Sequence, residues 1–172
     1  MGTINYHTDL SPEIKKIWKL LEQVNDPEVP VLSVIDLGII REVKTNDDEI
    51  EVIITPTYSG CPAMDVISMN IKMTLLSNGY KNVKVTNVLS PAWTTDWMSE
   101  EGKQKLKEYG IAPPNIKQQV CDTERFAADD GVQCPHCNSW HTRRVSEFGS
   151  TACKSLYQCD DCMEPFDYFK CH

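Results

Sequence analysis

Cys134-Pro-His-Cys137 and Cys159-Asp-Asp-Cys162 decide how the C-terminal part of this chain folds. Each Cys-x-x-Cys turn aims two thiolates at one point, so two such turns can close a tetrahedron of sulfurs around a single ion. The 21 residues between the pairs match the spacing of a four-cysteine zinc ribbon. Four protein ligands leave no open position for water or substrate, so the expected metal is structural. An iron–sulfur cluster also takes four thiolates, but the spacing and the expected ribbon hairpins favour zinc. Cys121, Cys153 and Cys171 lie outside the pairs, with His136, His141 and His172 close in sequence. Cys153 precedes Cys159 by six positions, leaving open whether it lines the site, replaces a ligand or packs in a core.

Working outward, all cysteines except Cys61 lie from Cys121 onward. The start, Met-Gly-Thr-Ile-Asn-Tyr-His7, lacks a basic segment followed by an apolar one, so no secretory signal is expected. Metal-bound thiolates in a reducing cytoplasm are then a better account of the cysteines than disulfides. No apolar run approaches the ~18 residues of a membrane span. The net charge of −8 removes the electrostatic attraction that supplies most non-specific nucleic-acid binding, so no nucleic-acid partner is expected. Arg143-Arg144 is the one adjacent basic pair in the ribbon and reads as a solvated strand edge.

A hydrophobic fraction of 41% over 172 residues allows a domain of ordinary size beside the ribbon. Residues 11–24 read as an amphipathic helix, with Ser11 as its cap, Pro12 in the first turn, and Ile14, Ile17, Trp18, Leu21 and Val24 on one face. Two strand-like runs follow, Ile39 to Lys44 and Ile50 to Thr55, joined by polar Thr45–Glu49 as a hairpin. Thr55-Pro-Thr-Tyr-Ser-Gly-Cys61-Pro62 is a loop that opens a second helix. Met64, Ile67, Ile71, Leu75 and the neighbouring Met and Leu residues are expected to form its buried face, and Asn78-Gly79 to end it. Val83, Val85 and Val88 suggest a third strand, and Ser99 to Tyr109 a short charged helix. The order α-β-β-α-β-α predicts an α+β domain with helices on a three-stranded sheet. The expected organisation is this domain over 1–114, a linker over 115–130 and the ribbon over 131–172, which is too small to hold a core without metal.

Cys61 stands where a strand gives way to a helix. Backbone N–H groups and the helix dipole there favour an anion, so its thiol is expected to tend toward thiolate. Nucleophile, redox sensor, metal ligand and packed structural cysteine all remain open. The four histidines lie at the extremes (His7, His136, His141 and His172), so the first domain offers no Cys–His catalytic pair. A phosphate loop, a Ser–His–Asp constellation and a dinucleotide fingerprint are also missing. Asp26 and Asp36 would join Cys61 if their loops share one end of the sheet, although loop ties are the commoner use of Asp in such places. Trp93 and Trp97 read as cover for the sheet or as part of a partner interface.

Asp26-Pro-Glu-Val-Pro-Val-Leu-Ser-Val-Ile-Asp36-Leu-Gly-Ile-Ile40, followed by the Thr55–Pro62 loop, resembles the SufT-like family of iron–sulfur assembly factors. Further stretches narrow the match: Pro91-Ala-Trp-Thr-Thr-Asp-Trp-Met98, Tyr109-Gly-Ile-Ala-Pro-Pro114, Glu147-Phe-Gly-Ser-Thr-Ala-Cys-Lys154 and Glu164-Pro-Phe-Asp-Tyr-Phe-Lys-Cys-His172. With these the chain, from about residue 14 to the end, resembles the PaaD (or PaaJ) family of aerobic phenylacetate degradation. That resemblance implies an accessory role beside the multicomponent phenylacetyl-CoA epoxidase, which has a di-iron oxygenase component and a reductase with flavin and a 2Fe–2S cluster. It implies a maturation factor, not a catalyst: Cys61, with Asp26 and Asp36, would hold or relay iron or a nascent cluster, most plausibly for the reductase, while Cys134, Cys137, Cys159 and Cys162 hold structural zinc. The implied partners are both epoxidase components and the iron–sulfur assembly machinery, with a homo-oligomer left open. A structural or regulatory subunit of the epoxidase and a thiol redox protein are the competing readings.

Overall fold

The computed structural model describes residues 11–46, 49–114 and 132–170. His7, Cys121, Cys171, His172 and the expected 115–130 linker lie outside the described residues. The chain falls into two compact units, Met1–Ser99 and Glu100–His172.

In the first unit, α1 (Pro12–Leu21) starts as the sequence dictates: the Ser11 hydroxyl accepts from the Ile14 N–H at 3.3 Å and Pro12 occupies the first turn. Ile17, Trp18 and Leu21 form its buried face. The helix stops three residues before the expected Val24 because Gln23 and Val24 donate to Leu20 and Leu21, tightening its end. Val24 is still buried, and its carbonyl accepts from Val34 as the chain turns back.

The expected hairpin is β1 (Ile40–Asn46) against β2 (Glu49–Ile54), antiparallel. Val52 and Ile54 are fully buried on the inner face. From β2 the chain crosses through α2 (Ala63–Ser77) to β3 (Asn82–Asn87), which pairs parallel to β2, giving the order β1-β2-β3. The parallel pairing explains why a full helix lies between β2 and β3, since parallel neighbours need a crossover. Asn78 and Gly79, at φ +94°, end α2 as the sequence predicts.

One expectation for α2 is corrected. Ala63, Met64, Ile67, Ile71 and Leu75 are buried, but Met69, Met73 and Leu76 are exposed, as is Val66. With 3.6 residues per turn, the run 64-67-71-75 fills the one face that looks inward, so Val66, Met69 and Met73, two positions on, and Leu76, one position on, must point out.

The Asp36-Leu-Gly38 turn is clasped to the 93–99 segment. The Trp93 indole N–H donates to the Leu37 carbonyl at 2.9 Å, and the Ser99 N–H donates to the Asp36 carbonyl at 2.9 Å. Gly38, at φ +65°, lies against the Trp97 backbone, where a Cβ would come within 2.0 Å of the Trp97 carbonyl oxygen. Only glycine fits there. Trp93 is buried and the Arg41 guanidinium stacks over Trp97 at 3.5 Å, so both tryptophans serve as cover.

The second unit contains α3 (Glu100–Glu108), β4 (Ile111–Ala112), β5 (Thr142–Ser146), β6 (Lys154–Cys159) and β7 (Pro165–Phe169). Its sheet runs β4-β7-β6-β5, antiparallel except for the β4–β7 pair. Ile111 and Ala112, which the sequence reading places at the end of the first domain, pair with Asp167 and Tyr168 of the ribbon and so belong to the second compact unit. Ala112, Val132, Cys134, Cys159, Phe166 and Tyr168 make a small core, with Tyr157 stacked on Phe166 and edge-on to Tyr168. No helix among the described residues is long and apolar enough to cross a membrane.

Candidate functional site

Cys134, Cys137, Cys159 and Cys162 converge so that all four sulfurs lie within 4.8 Å of one another. Cys134 and Cys162 Sγ are 3.7 Å apart, and Cys137 and Cys159 Sγ 3.5 Å. A tetrahedral ion with metal–sulfur bonds of about 2.3 Å needs sulfurs about 3.8 Å apart, so the cage fits a single ion. A cluster would spread its thiolates over several irons, and this cage is too tight for that.

Each pair sits in a turn of the same design. Asn138 N–H donates to the Cys134 carbonyl at 2.9 Å and Cys134 N–H to Ser139 at 2.8 Å; in the second turn Cys159 N–H donates to Glu164 at 3.0 Å. The residue after each pair is left-handed, Asn138 at φ 61° and Met163 at φ 65°. Asp161 ties the turns together, accepting from the Ser139 hydroxyl and meeting His141 Nδ1 at 3.2 Å; these bonds hold its carboxyl below the ordinary range.

The thiols are electrostatically divided. The Cys162 N–H draws Cys159 down to about 7. Cys162 accepts from the Glu164 N–H, but burial and the three neighbouring sulfurs outweigh that bond and push it up to about 12. Four sulfurs this close cannot all ionise without a cation among them, so the donor set fits a divalent ion. Neither histidine of the described ribbon joins the cage: His136 lies against Gly110 and His141 pairs with Asp161. Cys153 is not a ligand either. It is buried at the opposite end of β6 from Cys159, with Thr151 Oγ1 at 3.0 Å from its sulfur.

The second candidate is the Thr55–Pro62 loop, which delivers Cys61 to the start of α2. Gly60 takes φ +87° to make the turn, and Cys61 N–H donates to the Tyr58 carbonyl at 3.3 Å. Cys61 is partly buried. Burial pushes its thiol above the ordinary value, against the Ala63 N–H and the Tyr58 side chain, and the charges of Glu28 and Asp26 push it the same way. The expected lean toward thiolate is therefore overturned: a nearby helix end does not outweigh desolvation and two carboxylates.

The carboxylates acting on Cys61 are thus Glu28 and Asp26. Asp26 also holds its own turn, since its Oδ1 accepts from the Glu28 and Val29 N–H groups at 2.7 and 2.8 Å. Asp36 is committed elsewhere: its buried carboxylate accepts from the N–H and hydroxyl of Ser33 at 3.0 and 2.9 Å and from the Ser99 hydroxyl at 2.9 Å. Sequence reasoning quoted Glu28 within Asp26-Pro-Glu28 but gave it no role; an acid two positions from Asp26 was the available signal. Thr55, buried at the head of the loop, has a hydroxyl with no hydrogen-bond partner among the described residues.

Comparison with known proteins follows this division. Residues 14–88 match the iron–sulfur cluster assembly protein family, and residues 118–170 match the PaaD zinc beta ribbon domain. An Escherichia coli (strain K12) protein, provisionally named as a component of 1,2-phenylacetyl-CoA epoxidase, is 48% identical over 160 residues, covering 93% of this chain and 94% of that protein. The chain belongs to the PaaD family. Its first part alone is 40% identical over 92 residues to an Fe–S protein maturation auxiliary factor of Porphyromonas gingivalis, covering 52% of this chain and 87% of that protein. Among solved structures, a domain of unknown function (DUF59) from Bacillus anthracis superposes with a TM-score of 0.51 at 28% identity, covering 54% of this chain and 89% of that one. PaaD-family membership accounts for the pairing of an assembly-type domain with a thiolate cage.

Proposed function

We propose that this chain is a non-catalytic maturation factor of the phenylacetyl-CoA epoxidase system, assisting assembly or insertion of the iron–sulfur cluster of the reductase component. The observation that carries the reading is the grouping of Cys61 with Glu28 and Asp26 in the domain that matches iron–sulfur assembly proteins. Carboxylates that hinder a free thiolate assist a cation, because an incoming iron displaces the thiol proton and is held by the same negative charge. Such a site suits transient holding of iron or a nascent cluster better than nucleophilic attack. The ribbon cage, with zinc as its structural ion, keeps the second unit folded for contact with the reductase and oxygenase components. The chain would work in the cytoplasm with the iron–sulfur assembly machinery.

Co-expression of the reductase with Cys61→Ser tests this. Lower cluster content in the reductase, with the variant folded as the wild type, supports the proposal; normal occupancy overturns it. A second reading, a permanent structural component of the epoxidase, draws on the name of the Escherichia coli relative. Stoichiometric co-elution with the epoxidase in size-exclusion chromatography favours that reading, and transient association favours maturation.

A further inference from the structure

Two of the cage sulfurs are linked to each other from outside the cage. Ser139 donates its backbone N–H to the Cys137 sulfur, and Asp161 donates its backbone N–H to the Cys159 sulfur. The same two residues meet through their side chains, the Ser139 hydroxyl donating to Asp161 Oδ2. Cys137 and Cys159 Sγ are themselves 3.5 Å apart. A ring of contacts therefore closes across the gap between the two Cys-x-x-Cys turns.

The ring lies where the cage is open. Cys134 and Cys159 are buried, Cys162 is partly buried and Cys137 is exposed, so a competing ligand reaches the ion past Cys137. The β5–β6 ladder ends short of this side: its last pair is Thr142 with Cys159, followed by the Asp160 N–H donating to the His141 carbonyl at 2.8 Å. Beyond that point the Asp161 carboxylate reaches back to the first turn, with Oδ2 on Ser139 and Oδ1 at 3.2 Å from His141 Nδ1. The His141 N–H donates to Ser139 Oγ at 2.9 Å, which leaves the Ser139 hydrogen free to point at Asp161. Asp160 differs from its neighbour, because its carboxylate pairs with Arg143, a residue the ladder already holds.

We propose that Asp161 is a positioning residue of the metal cage: by gripping Ser139 and His141 it locks Cys137 against Cys159 and sets how fast the bound ion is exchanged. Groups bonded to metal ligands fix the direction of those ligands, and losing one weakens metal binding by roughly 10–100-fold. The inference rests on the cage holding a single divalent ion and is independent of the role proposed for Cys61.

The test is zinc release from the full zinc-loaded chain into an excess of a chromogenic chelator. Asp161→Ala should release zinc about tenfold faster than the wild type. Ser139→Ala removes the other arm of the link and should move the rate in the same direction. Asp161→Asn keeps an oxygen that accepts from Ser139 and should recover most of the retention. Asp160→Ala removes an equal charge next door and should release zinc nearly as slowly as the wild type. The cobalt-loaded Asp161→Ala chain should keep the absorption of a tetrahedral four-thiolate site, since Asp161 positions the ligands and is not one of them. Release from Asp161→Ala no faster than from the wild type overturns the proposal. So does an Asp160→Ala chain as fast as Asp161→Ala, or an Asp161→Asn chain with no recovery, since either makes the effect one of charge alone. A wild type that takes up no zinc overturns the single-ion cage and this proposal with it.

Discussion

The Asp36 carboxylate accepts the Ser99 hydroxyl at 2.9 Å, joining two residues 63 positions apart in the chain. The same carboxylate takes the N–H and hydroxyl of Ser33, so the Asp-Leu-Gly turn is a clasp between two loops. Truncation strands three donors at a buried position, and hydrogen bonds to a charged group are the stronger ones. Asp36→Ala should cost about 3 kcal/mol in urea unfolding followed by tryptophan fluorescence. Any loss of function should then track loss of fold, whereas Cys61→Ser should leave the unfolding curve unchanged.

Met163 holds φ 65° just after the second cysteine pair, where the first pair has Asn138 at φ 61°. An L residue other than Asn or Asp is strained there by roughly 1–2 kcal/mol, and glycine is not. Met163 is 62% exposed, so little packing is lost on truncation. After the entropy lost by adding a glycine, Met163→Gly should gain about 1 kcal/mol. A raised unfolding temperature of the metal-loaded chain, together with slower metal loss to a chelator, checks this.

The cage also predicts proton release. Cys159, at about 7, lies below the ordinary thiol value of 9.0, so its contribution to the folded ribbon is complete above 9 and lost as pH falls through 7. Cys162, at about 12, contributes with the opposite sign: fully below 9, and lost as pH rises toward 12. A divalent cation removes this conflict by taking both as thiolates. At pH 8 Cys159 is already ionised, whereas Cys137, held above its ordinary value, and Cys162 are not. Zinc binding at pH 8 should therefore release more than one proton per ion, and affinity should fall steeply below pH 7. Titration calorimetry in two buffers of different ionisation enthalpy measures the release.

What was legible in the sequence was local. The two Cys-x-x-Cys turns name the cage because each turn fixes its two ligands, and Ser11-Pro12 names the start of α1 for the same reason. The Asp36 clasp was not legible, since its partner Ser99 is remote in sequence. Nor was β4, whose two residues, Ile111 and Ala112, carry no alternation and acquire strand geometry only from β7. Periodicity showed that Met69, Met73 and Leu76 are apolar, but only the packing of Ile67, Ile71 and Leu75 decides that they face outward. Cys61 was found by its place at a helix start, yet its ionisation depends on burial and on Glu28, both of which act through space.

That dependence gives the sharpest check on the cysteine loop. With its pKa raised chiefly by burial, Cys61 carries less thiolate at pH 8 than a free cysteine and should be alkylated more slowly. Glu28 contributes a negative charge that opposes ionisation, so Glu28→Gln lowers the Cys61 pKa and increases the thiolate fraction at any pH below it. Iodoacetamide modification at Cys61, followed by peptide mass spectrometry to separate it from the other cysteines, should speed up about two- to threefold in Glu28→Gln. The same substitution should weaken ferrous iron binding, because the charge that resists the thiolate also attracts the cation. Faster alkylation with weaker iron binding fits a carboxylate-assisted thiol site. Faster alkylation with unchanged iron binding would leave Glu28 as a neighbour only, and an unchanged rate would remove it from the site altogether.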